Sequence, residues 1–226
     1  MDYDGLLELV RKRRSIRKFR PEPVPDEFIS KIIEAARWAP SGANSQPWEF
    51  IVIKDTELKK RVAELILEEY DRTRKMELLR EPELRYETKP GEFIQAPVFI
   101  IVCGDPRTKD VYPMNATVNI GTSVFYSSLA NAILYMNLAI TCLGLGAQWV
   151  STISMSYAQW SVKKLLNVPA EMVIYDMLAI GYPAAEPNPR KVRDREEVTH
   201  YNYFDQTRFK TPEQMKSYIK SVRVKR

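Results

Sequence analysis

The spacing of apolar positions predicts two amphipathic helices before the first strand. The first helix covers about residues 4–13 and carries Leu6, Leu9 and Val10 towards one side. The second follows Pro25 and repeats apolar residues at i, i+4, i+5 and i+8 until Pro40 stops it. Acidic residues directly after Pro25 favour a helix start, because they face the positive end of the helix dipole.

Further along the chain, short apolar runs alternate irregularly with helical patterns. Predicted strands cover residues 48–53, 98–103, 147–150 and 172–180, and predicted helices begin near residues 55, 119 and 156. The elements lack a regular βαβ rhythm, and the glycines at 144 and 146 do not form a dinucleotide-binding fingerprint. This arrangement favours an α+β fold with a single domain over residues 1–226.

The helix predicted over residues 119–143 is apolar or small almost all round. Such a helix must be buried on several sides, which in a chain of this size suggests the centre of a dimer. Polar residues interrupt its most apolar run at Asn131, Asn137 and Thr141, so no stretch of about 18 apolar residues spans a bilayer. We therefore expect no membrane segment.

Charge and cysteine content narrow the class of protein. The net charge of +5 resides in residues 210–226, which predicts a solvated basic tail rather than a nucleic-acid-binding surface. Cys103 and Cys142 lie in apolar surroundings and are predicted to be buried thiols in a reducing, cytoplasmic compartment. One histidine, His200, makes a zinc site or a Ser-His-Asp triad improbable, and no metal is expected.

Three clusters can carry chemistry. Residues 11–20 hold seven cations after a helix, which suits a phosphate or a solvated helix end equally well. Residues 40–48 form a loop of small polar residues that can lie against a flat ligand or serve as an ordinary helix–strand connection. Residues 149–154 end a strand in hydroxyl groups, where a ligand or a helix cap are both reasonable.

Together these clusters resemble a known family. The motifs, in order, are RRSIRKF, AARWAPSGANSQPWEFIVI and AIGYPAAEPNPRKVRDREEV, with a glycine-punctuated helix–strand unit before the last. The chain resembles nitroreductase-family flavoproteins along nearly its whole length, and is also similar to their iodotyrosine-deiodinase-like branch. The resemblance implies a nitroreductase-like fold, with a central mixed or antiparallel sheet flanked by helices. It also implies a homodimer with a long interface helix and a C-terminal arm, residues 201–226, that wraps the partner.

The resemblance also implies a set of FMN-binding residues. The phosphate and the pyrimidine side of the ring would be held by Arg13, Arg14, Ser15 and Arg17. A loop from the partner subunit would supply Pro40, Ser41, Gly42, Ala43 and Asn44. Near flavin N5 would lie Ser151 and Thr152, and the C-terminal cation would be Arg193. Arg190 and Lys191 are close substitutes for that cation. Residues 68–92 would form a lid with Glu69, Tyr70, Tyr86 and Lys89 near the substrate.

The implied activity is that of an FMN-dependent oxidoreductase. It would pass electrons from NADH or NADPH through flavin N5 to a small nitroaromatic, quinone-like or related acceptor by a ping-pong mechanism, with no catalytic side chain. The hydroxyls of Ser151 and Thr152 favour an alternative, a one-electron or reductive dehalogenase-type flavoenzyme. A third reading is a flavin-binding or redox-sensing protein without turnover.

Overall fold

A computed structural model describes residues 2–86, 92–187, 190 and 192–222. Their contacts divide the chain into two compact units. The first unit comprises Met1–Arg72 and Pro90–Pro187, and the second comprises Thr73–Lys89 and Asn188–Arg226. One domain over residues 1–226 stays a prediction.

The first unit is built on a four-stranded antiparallel sheet. Its strands are β1 (Trp48–Ile53), β2 (Val98–Gly104), β3 (Gly146–Val150) and β4 (Val173–Gly181), in the order β1-β2-β4-β3. The strand boundaries agree with the sequence pattern to within a residue at each end. The predicted α+β class is confirmed, and the sheet is antiparallel rather than mixed.

Helices cover both faces of the sheet. The helices are α1 (Tyr3–Lys12), α2 (Asp26–Arg37), α3 (Thr56–Thr73), α4 (Met114–Cys142) and α5 (Ser156–Leu165). Strand β2 is buried throughout, and its successive side chains enter two different cores. Ile100 joins the core of α2 and α4, whereas Ile101 joins the core of α3 and α5. This alternation explains why β2 reads as a continuous apolar run.

Helix α4 is the longest element, with 29 residues. It starts at Met114, directly after Pro113, and therefore earlier than the predicted residue 119. By length and composition alone it is apolar enough to cross a membrane, although the sequence pattern predicted no membrane segment. Half of its most apolar stretch is buried inside the protein, and a single helix of this kind is weak evidence for a membrane span.

The two cysteines differ, contrary to the prediction that both are buried. Cys103 is buried on β2, and that burial raises the pKa of its thiol to about 11. Cys142 is exposed at the end of α4. An apolar pattern all round a helix does not reveal which of its sides is left uncovered, and Cys142 lies on such a side.

The second unit has no buried residue among those described. It contains short 3-10 helices at Arg74–Leu79, Pro82–Leu84 and Gln206–Arg208, with α6 (Arg195–Val198) and α7 (Pro212–Val222). Two ion pairs join α7 to the earlier segment: Lys216 Nζ lies 2.8 Å from Glu81 Oε2, and Lys220 Nζ lies 2.7 Å from Glu83 Oε2. Residues of the predicted lid and of the predicted arm therefore belong to one unit.

Candidate functional site

The cationic segment that follows α1 runs along the outer edge of the sheet. Ser15 forms a parallel bridge with Ala147 of β3, and the Ile16 N–H donates to the Ala147 carbonyl at 2.9 Å. Phe19 pairs with Pro183 beyond the end of β4. Ile16 and Phe19 are buried, whereas Arg14 and Arg17 are half-buried. Apolar anchors thus hold the arginines on one side of β3.

Gly146 makes this close approach possible. A Cβ atom at position 146 would lie 2.3 Å from Ile16 Cγ1, far inside van der Waals contact. Ile16 fills the space that any larger residue would need. The placement of the cationic segment therefore depends on a glycine at the first residue of β3.

The loop before β1 has an unusual backbone. Three non-glycine residues have left-handed φ values: Ala43 (48°), Asn44 (55°) and Gln46 (42°). Asparagine tolerates this region, but for alanine and glutamine it costs of order 1 kcal/mol or more each. Such strain is concentrated at ligand-binding sites in proteins, so the backbone agrees with a functional loop.

Helix α4 holds this loop in place. The Gly42 N–H donates to Ser128 Oγ at 3.2 Å, and Asn131 Nδ2 donates to the Pro40 carbonyl at 3.0 Å. A Cβ atom at Gly42 would lie 2.2 Å from Val124 Cγ1, so only glycine allows this packing. The Ser41 hydroxyl accepts from the Gln46 N–H at 3.0 Å and closes the loop.

The third cluster follows β3 in a 3-10 turn at Ser151–Ser154. Ser151 is exposed and Thr152 is half-buried, while the Ser154 hydroxyl donates to the Ser151 carbonyl at 2.7 Å. Four residues separate Ser151 from Ala147, which corresponds to about 13 Å along a strand. Arg14, Ser15 and Arg17 therefore lie along the same edge strand that ends at Ser151 and Thr152.

The loop at residues 40–44 lies at the opposite edge of the sheet. It precedes β1, and three strand spacings, roughly 14 Å, separate β1 from β3. Trp48 pairs with Gly104, Gly104 with Val173, and Val150 with Met177, so the loop and the Ser151 turn share one end of the sheet. One chain brings together two of the three clusters.

A buried carboxylate behind the Ser151 turn was not anticipated from the sequence. Asp176 of β4 is 5% exposed, and its Oδ2 accepts from Trp149 Nε1 at 2.5 Å. Its Oδ1 is buried without a hydrogen-bond partner among the described residues. Burial raises the pKa of Asp176 to about 6, and the donors Trp149 and Ser151 partly offset that rise. One acidic residue within the apolar run 172–180 was the available signal.

The polar groups along this edge suit a planar, anionic ligand. Gln148 Oε1 is a second buried acceptor without a partner in the described structure, and unsatisfied buried polar atoms call for an explanation such as a missing ligand or water. Arginines supply fixed positive charge with fork-shaped donors for a phosphate. The residues present therefore fit a phosphorylated heteroaromatic cofactor.

Arg193 and its neighbours belong to the second unit. The Arg193 guanidinium donates to the Glu197 carbonyl at 2.9 Å and to Glu197 Oε2 at 3.2 Å. Arg190 is exposed, and Lys191 lies outside the described residues. Phosphate binding by any of these cations stays a prediction.

The predicted lid residues divide between the two units. Helix α3 extends to Thr73, so Glu69 and Tyr70 are helical residues of the first unit, and Glu69 is 6% exposed. Tyr86 belongs to the second unit, where its N–H donates to Glu77 Oε1 at 2.7 Å. Lys89 lies outside the described residues. A lid over residues 68–92 stays a prediction.

Within the part of the chain that the structure describes, no group of three or more His, Cys, Asp or Glu side chains is placed to hold a metal ion.

Comparisons with known proteins find relatives similar in sequence and in fold. A putative NADH dehydrogenase/NAD(P)H nitroreductase of Archaeoglobus fulgidus is 29% identical over 189 residues, which cover 84% of this chain and 91% of that protein. Iodotyrosine deiodinase 1 of Sus scrofa is 31% identical over 212 residues, covering 85% of this chain and 67% of the deiodinase. The solved structure of an FMN-dependent nitroreductase from Clostridium difficile superposes with a TM-score of 0.64 at 26% identity, covering 88% of this chain and 99% of that one.

The family model described as "Nitroreductase family" matches residues 10–182. That range includes the cationic segment, the loop at 40–44, the whole sheet and the Ser151 turn. The nitroreductase-like fold predicted from the motifs is confirmed, and the chain belongs to the nitroreductase family.

Proposed function

We propose that this protein is an FMN-dependent oxidoreductase that passes electrons from NADH or NADPH to a small organic acceptor. One observation carries the proposal: the arginine segment is fixed along β3, the same strand that ends at Ser151 and Thr152. Along this edge Ser15 is level with Ala147, about 13 Å before the Ser151 hydroxyl, a span suited to a mononucleotide cofactor. Similarity to an FMN-dependent nitroreductase supports the choice of FMN.

The arginines would hold the phosphate end of FMN. Arg13 ends α1, where its backbone N–H donates to the Leu9 carbonyl at 3.1 Å, and Ser15 and Arg17 follow in extended backbone. A phosphate accepts paired hydrogen bonds from guanidinium groups, and the pinned backbone reduces the entropy lost on binding. At the other end, the Ser151 and Thr152 hydroxyls would donate to the ring near N5.

A second copy of the chain would complete the site. Pro40, Ser41, Gly42, Ala43 and Asn44 lie three strands away from Ser151 in their own chain, so a partner subunit is the natural source of this loop. Helix α4 exposes large apolar side chains that a partner would cover: Met114, Val118, Ile120, Tyr126, Leu134 and Tyr135. The aromatic residues Tyr201, Tyr203, Phe204 and Phe209 are also exposed, which supports an arm that wraps the partner.

When bound, FMN would supply the redox chemistry, accepting a hydride at N5 and releasing electrons to the acceptor in a second half-reaction. The chain's own residues would bind and orient the reactants. The arginines fix the cofactor, the strained loop shapes the ring pocket, and the hydroxyls present donors to N5. No acid–base pair is required, in agreement with a chain that has one histidine.

A second candidate is a one-electron or reductive dehalogenase-type flavoenzyme. The hydroxyl pair Ser151 and Thr152 and the similarity to an iodotyrosine deiodinase favour it. A third, a flavin-binding or redox-sensing protein without turnover, uses the same site and differs only in failing to oxidise a nicotinamide.

An anaerobic reductive titration of the purified protein tests the proposal. We expect a yellow protein whose flavin absorbance bleaches in one phase with NADH or NADPH and returns when a nitroaromatic or quinone is added. Bleaching in two separate phases would favour the one-electron enzyme, and bleaching only with dithionite would favour the sensor. A colourless protein that takes up no added FMN would overturn all three.

Two variants sharpen the test. Arg17→Ala removes a half-buried cation of the pinned segment and should weaken FMN binding at least tenfold, as followed by flavin fluorescence. Arg11→Ala removes an exposed cation that lies within α1, before the residues bridged to the sheet at Ser15 and Phe19, and serves as the matched control. Equal losses in the two variants would show that net charge, rather than the pinned arginines, governs binding.

A further inference from the structure

Asp176 is a buried titratable group that the proposed function leaves unused. Acidic residues are rarely buried unless they are paired or hydrogen-bonded, because burial penalises the charged form. Asp176 is 5% exposed and lies in a strand whose other residues are apolar apart from Tyr175. A residue retained at this cost needs a role that an apolar side chain cannot fill.

The register of the sheet brings Asp176 level with the Ser151 turn. Val150 of β3 pairs with Met177 of β4, so the next residue, Ser151, comes level with Asp176. Asp176 also pairs with Val102, after which the ladder between β2 and β4 shifts register. Irregular pairing of this kind re-aims side chains and is common beside functional sites.

The two carboxylate oxygens have different surroundings. Oδ2 accepts from the indole of Trp149, a residue that is 40% exposed although it lies in a strand. Oδ1 is buried and has no hydrogen-bond partner among the described residues. A carboxylate held on one side and unsatisfied on the other is suited to receive a further donor, which Ser151 or a bound ligand can provide.

Apart from Arg17, which the Ser15–Ala147 bridge brings level with Trp149, the described residues discussed around Asp176 carry no permanent charge. On β2 it meets Val102, and the Ser151–Ser154 turn contributes only hydroxyls and an isoleucine. From α4, Tyr126 packs against Tyr175 with ring centroids 5.9 Å apart. Burial, with a smaller contribution from Asp176, raises the pKa of Tyr175. Asp176 is therefore the group in this described neighbourhood whose charge changes near neutral pH.

We propose that Asp176 is a positioning residue that orients Trp149 and Ser151 at the flavin edge and that its negative charge lowers the reduction potential of the bound flavin. This inference rests on the proposed function. The Oδ2 of Asp176 holds the Trp149 indole, and its Oδ1, which has no partner among the described residues, would accept from the neighbouring Ser151 hydroxyl and so orient it. Its charge opposes added electron density in a site of low dielectric constant.

The effect has a definite direction with pH. Above a pH of about 6 the Asp176 carboxylate is charged and opposes flavin reduction, and below it the protonated group does not. Asp176→Asn keeps the shape and a hydrogen-bonding side chain but removes the charge. The flavin midpoint potential of this variant should exceed that of the wild type above pH 6 and match it below.

The experiment measures the flavin midpoint potential against reference dyes from pH 5 to pH 8.5, without turnover. Reduced flavin itself titrates in this range, so the difference between variant and wild type is the relevant quantity. Glu49→Gln is the matched control, because Glu49 is an exposed carboxylate on β1 at the other edge of the sheet. The inference would be overturned if the difference in midpoint potential between Asp176→Asn and the wild type does not change with pH.

A second variant keeps the test decisive if Asp176→Asn fails to fold. In the wild type, the indole donor of Trp149 lowers the pKa of Asp176. Trp149→Phe removes this donor and so raises that pKa. The pH at which the midpoint potential changes slope should therefore be higher in this variant. If Trp149→Phe binds FMN normally and its midpoint potential changes slope at the same pH as in the wild type, the positioning role is contradicted. Failure of the wild-type protein to bind FMN would instead overturn the proposed function. The two failures are therefore distinguishable.

Discussion

Each of the two units of this protein is stabilised internally by different forces. In the first unit, two apolar cores lie on either face of the sheet, and residues such as Ile133 and Phe99 are fully buried. In the second unit, none of the described residues is buried, and the contacts are ion pairs and exposed aromatic rings. Apolar burial contributes far more per residue than exposed ion pairs do.

This difference separates residues whose positions are fixed by apolar packing from residues whose contacts respond to salt. The cationic segment, the loop at 40–44 and the Ser151 turn all belong to the first unit, where packing defines their positions. The predicted arm and the part of the predicted lid from Thr73 onward belong to the second unit, whose ion pairs weaken with salt. We therefore expect local opening to be easier in the second unit than in the packed first unit.

The largest expected contrast is between matched truncations in the two units. Ile133→Ala, at a fully buried position of α4, should lower the free energy of unfolding by about 2–5 kcal/mol. Leu79→Ala, at a position that is 85% exposed in the second unit, should change it by less than about 0.5 kcal/mol. Urea denaturation followed by circular dichroism measures both. Similar losses in the free energy of unfolding for the two variants would contradict this difference between the units.

A buried charge should respond to pH differently from an exposed one. The folded-state pKa of Asp176 is raised to about 6 from 3.8, so the folded state loses stability as pH rises between these values. Asp176→Asn removes that loss and should stabilise the protein above pH 6 by at most roughly 3 kcal/mol, with little effect below pH 4. Denaturation at pH 4 and pH 7.5 tests the sign. A variant less stable than the wild type at pH 7.5 would contradict it.

In the second unit, Lys220 lowers the pKa of Glu83, chiefly through their hydrogen bond. The pH dependence of this contact therefore has the opposite sign to that of Asp176. This exposed pair is lost as pH falls through the titration range of Glu83. Hydrogen exchange in residues 73–86 should therefore quicken in acid, after correction for the intrinsic pH dependence. Unchanged protection in that segment between pH 7 and pH 3.5 would argue against the ion pairs as its support.

Close packing at Gly146 provides a smaller contrast within the first unit. Gly146→Ala introduces a Cβ against Ile16 and should destabilise the fold by about 1–3 kcal/mol, while also weakening FMN binding. Gly121→Ala is the control, because its nearest neighbouring atom would lie 3.7 Å from the new Cβ within a helix. There alanine should stabilise by about 0.5–1 kcal/mol. Calorimetry and a flavin binding titration separate the two effects.

The smallest expected effect concerns the ion pairs of α7. Lys216→Ala with Lys220→Ala should change global stability by less than about 1 kcal/mol, because exposed pairs contribute little. Hydrogen exchange of residues 73–86 should nevertheless increase at low salt and approach the wild-type rate at high salt. The substitution Lys18→Ala, an exposed cation of the first unit, should leave that segment unchanged.

Sequence patterns predicted most of the first unit but little of the second. Apolar periodicity located the strands and the main helices, because each buries one face or two in a fixed repeat. The family motifs located the three clusters, and the family itself is confirmed. In contrast, the start of α4 at Met114 and the exposure of Cys142 depend on which sides of a uniformly apolar helix are packed.

The missing parts of the site depend on long-range pairing. The left-handed backbone at Ala43 and Gln46 is stabilised by contacts of their loop with α4, far away in sequence. Asp176 became a candidate only when the pairing of β3 with β4 brought it to Trp149. The burial of one acidic residue in an apolar strand was visible in the sequence, but its partners were not.

The order of the strands has a genetic consequence for the proposed dimer. With β1 and β3 at opposite edges, each polypeptide would contribute the arginine edge to one site and the loop at 40–44 to the other. Two inactive alleles, one altered at Arg17 and one at Gly42, would then complement each other. Co-expression would yield mixed dimers in which one site inherits both lesions and the other inherits neither, so half of the sites in each mixed dimer would work.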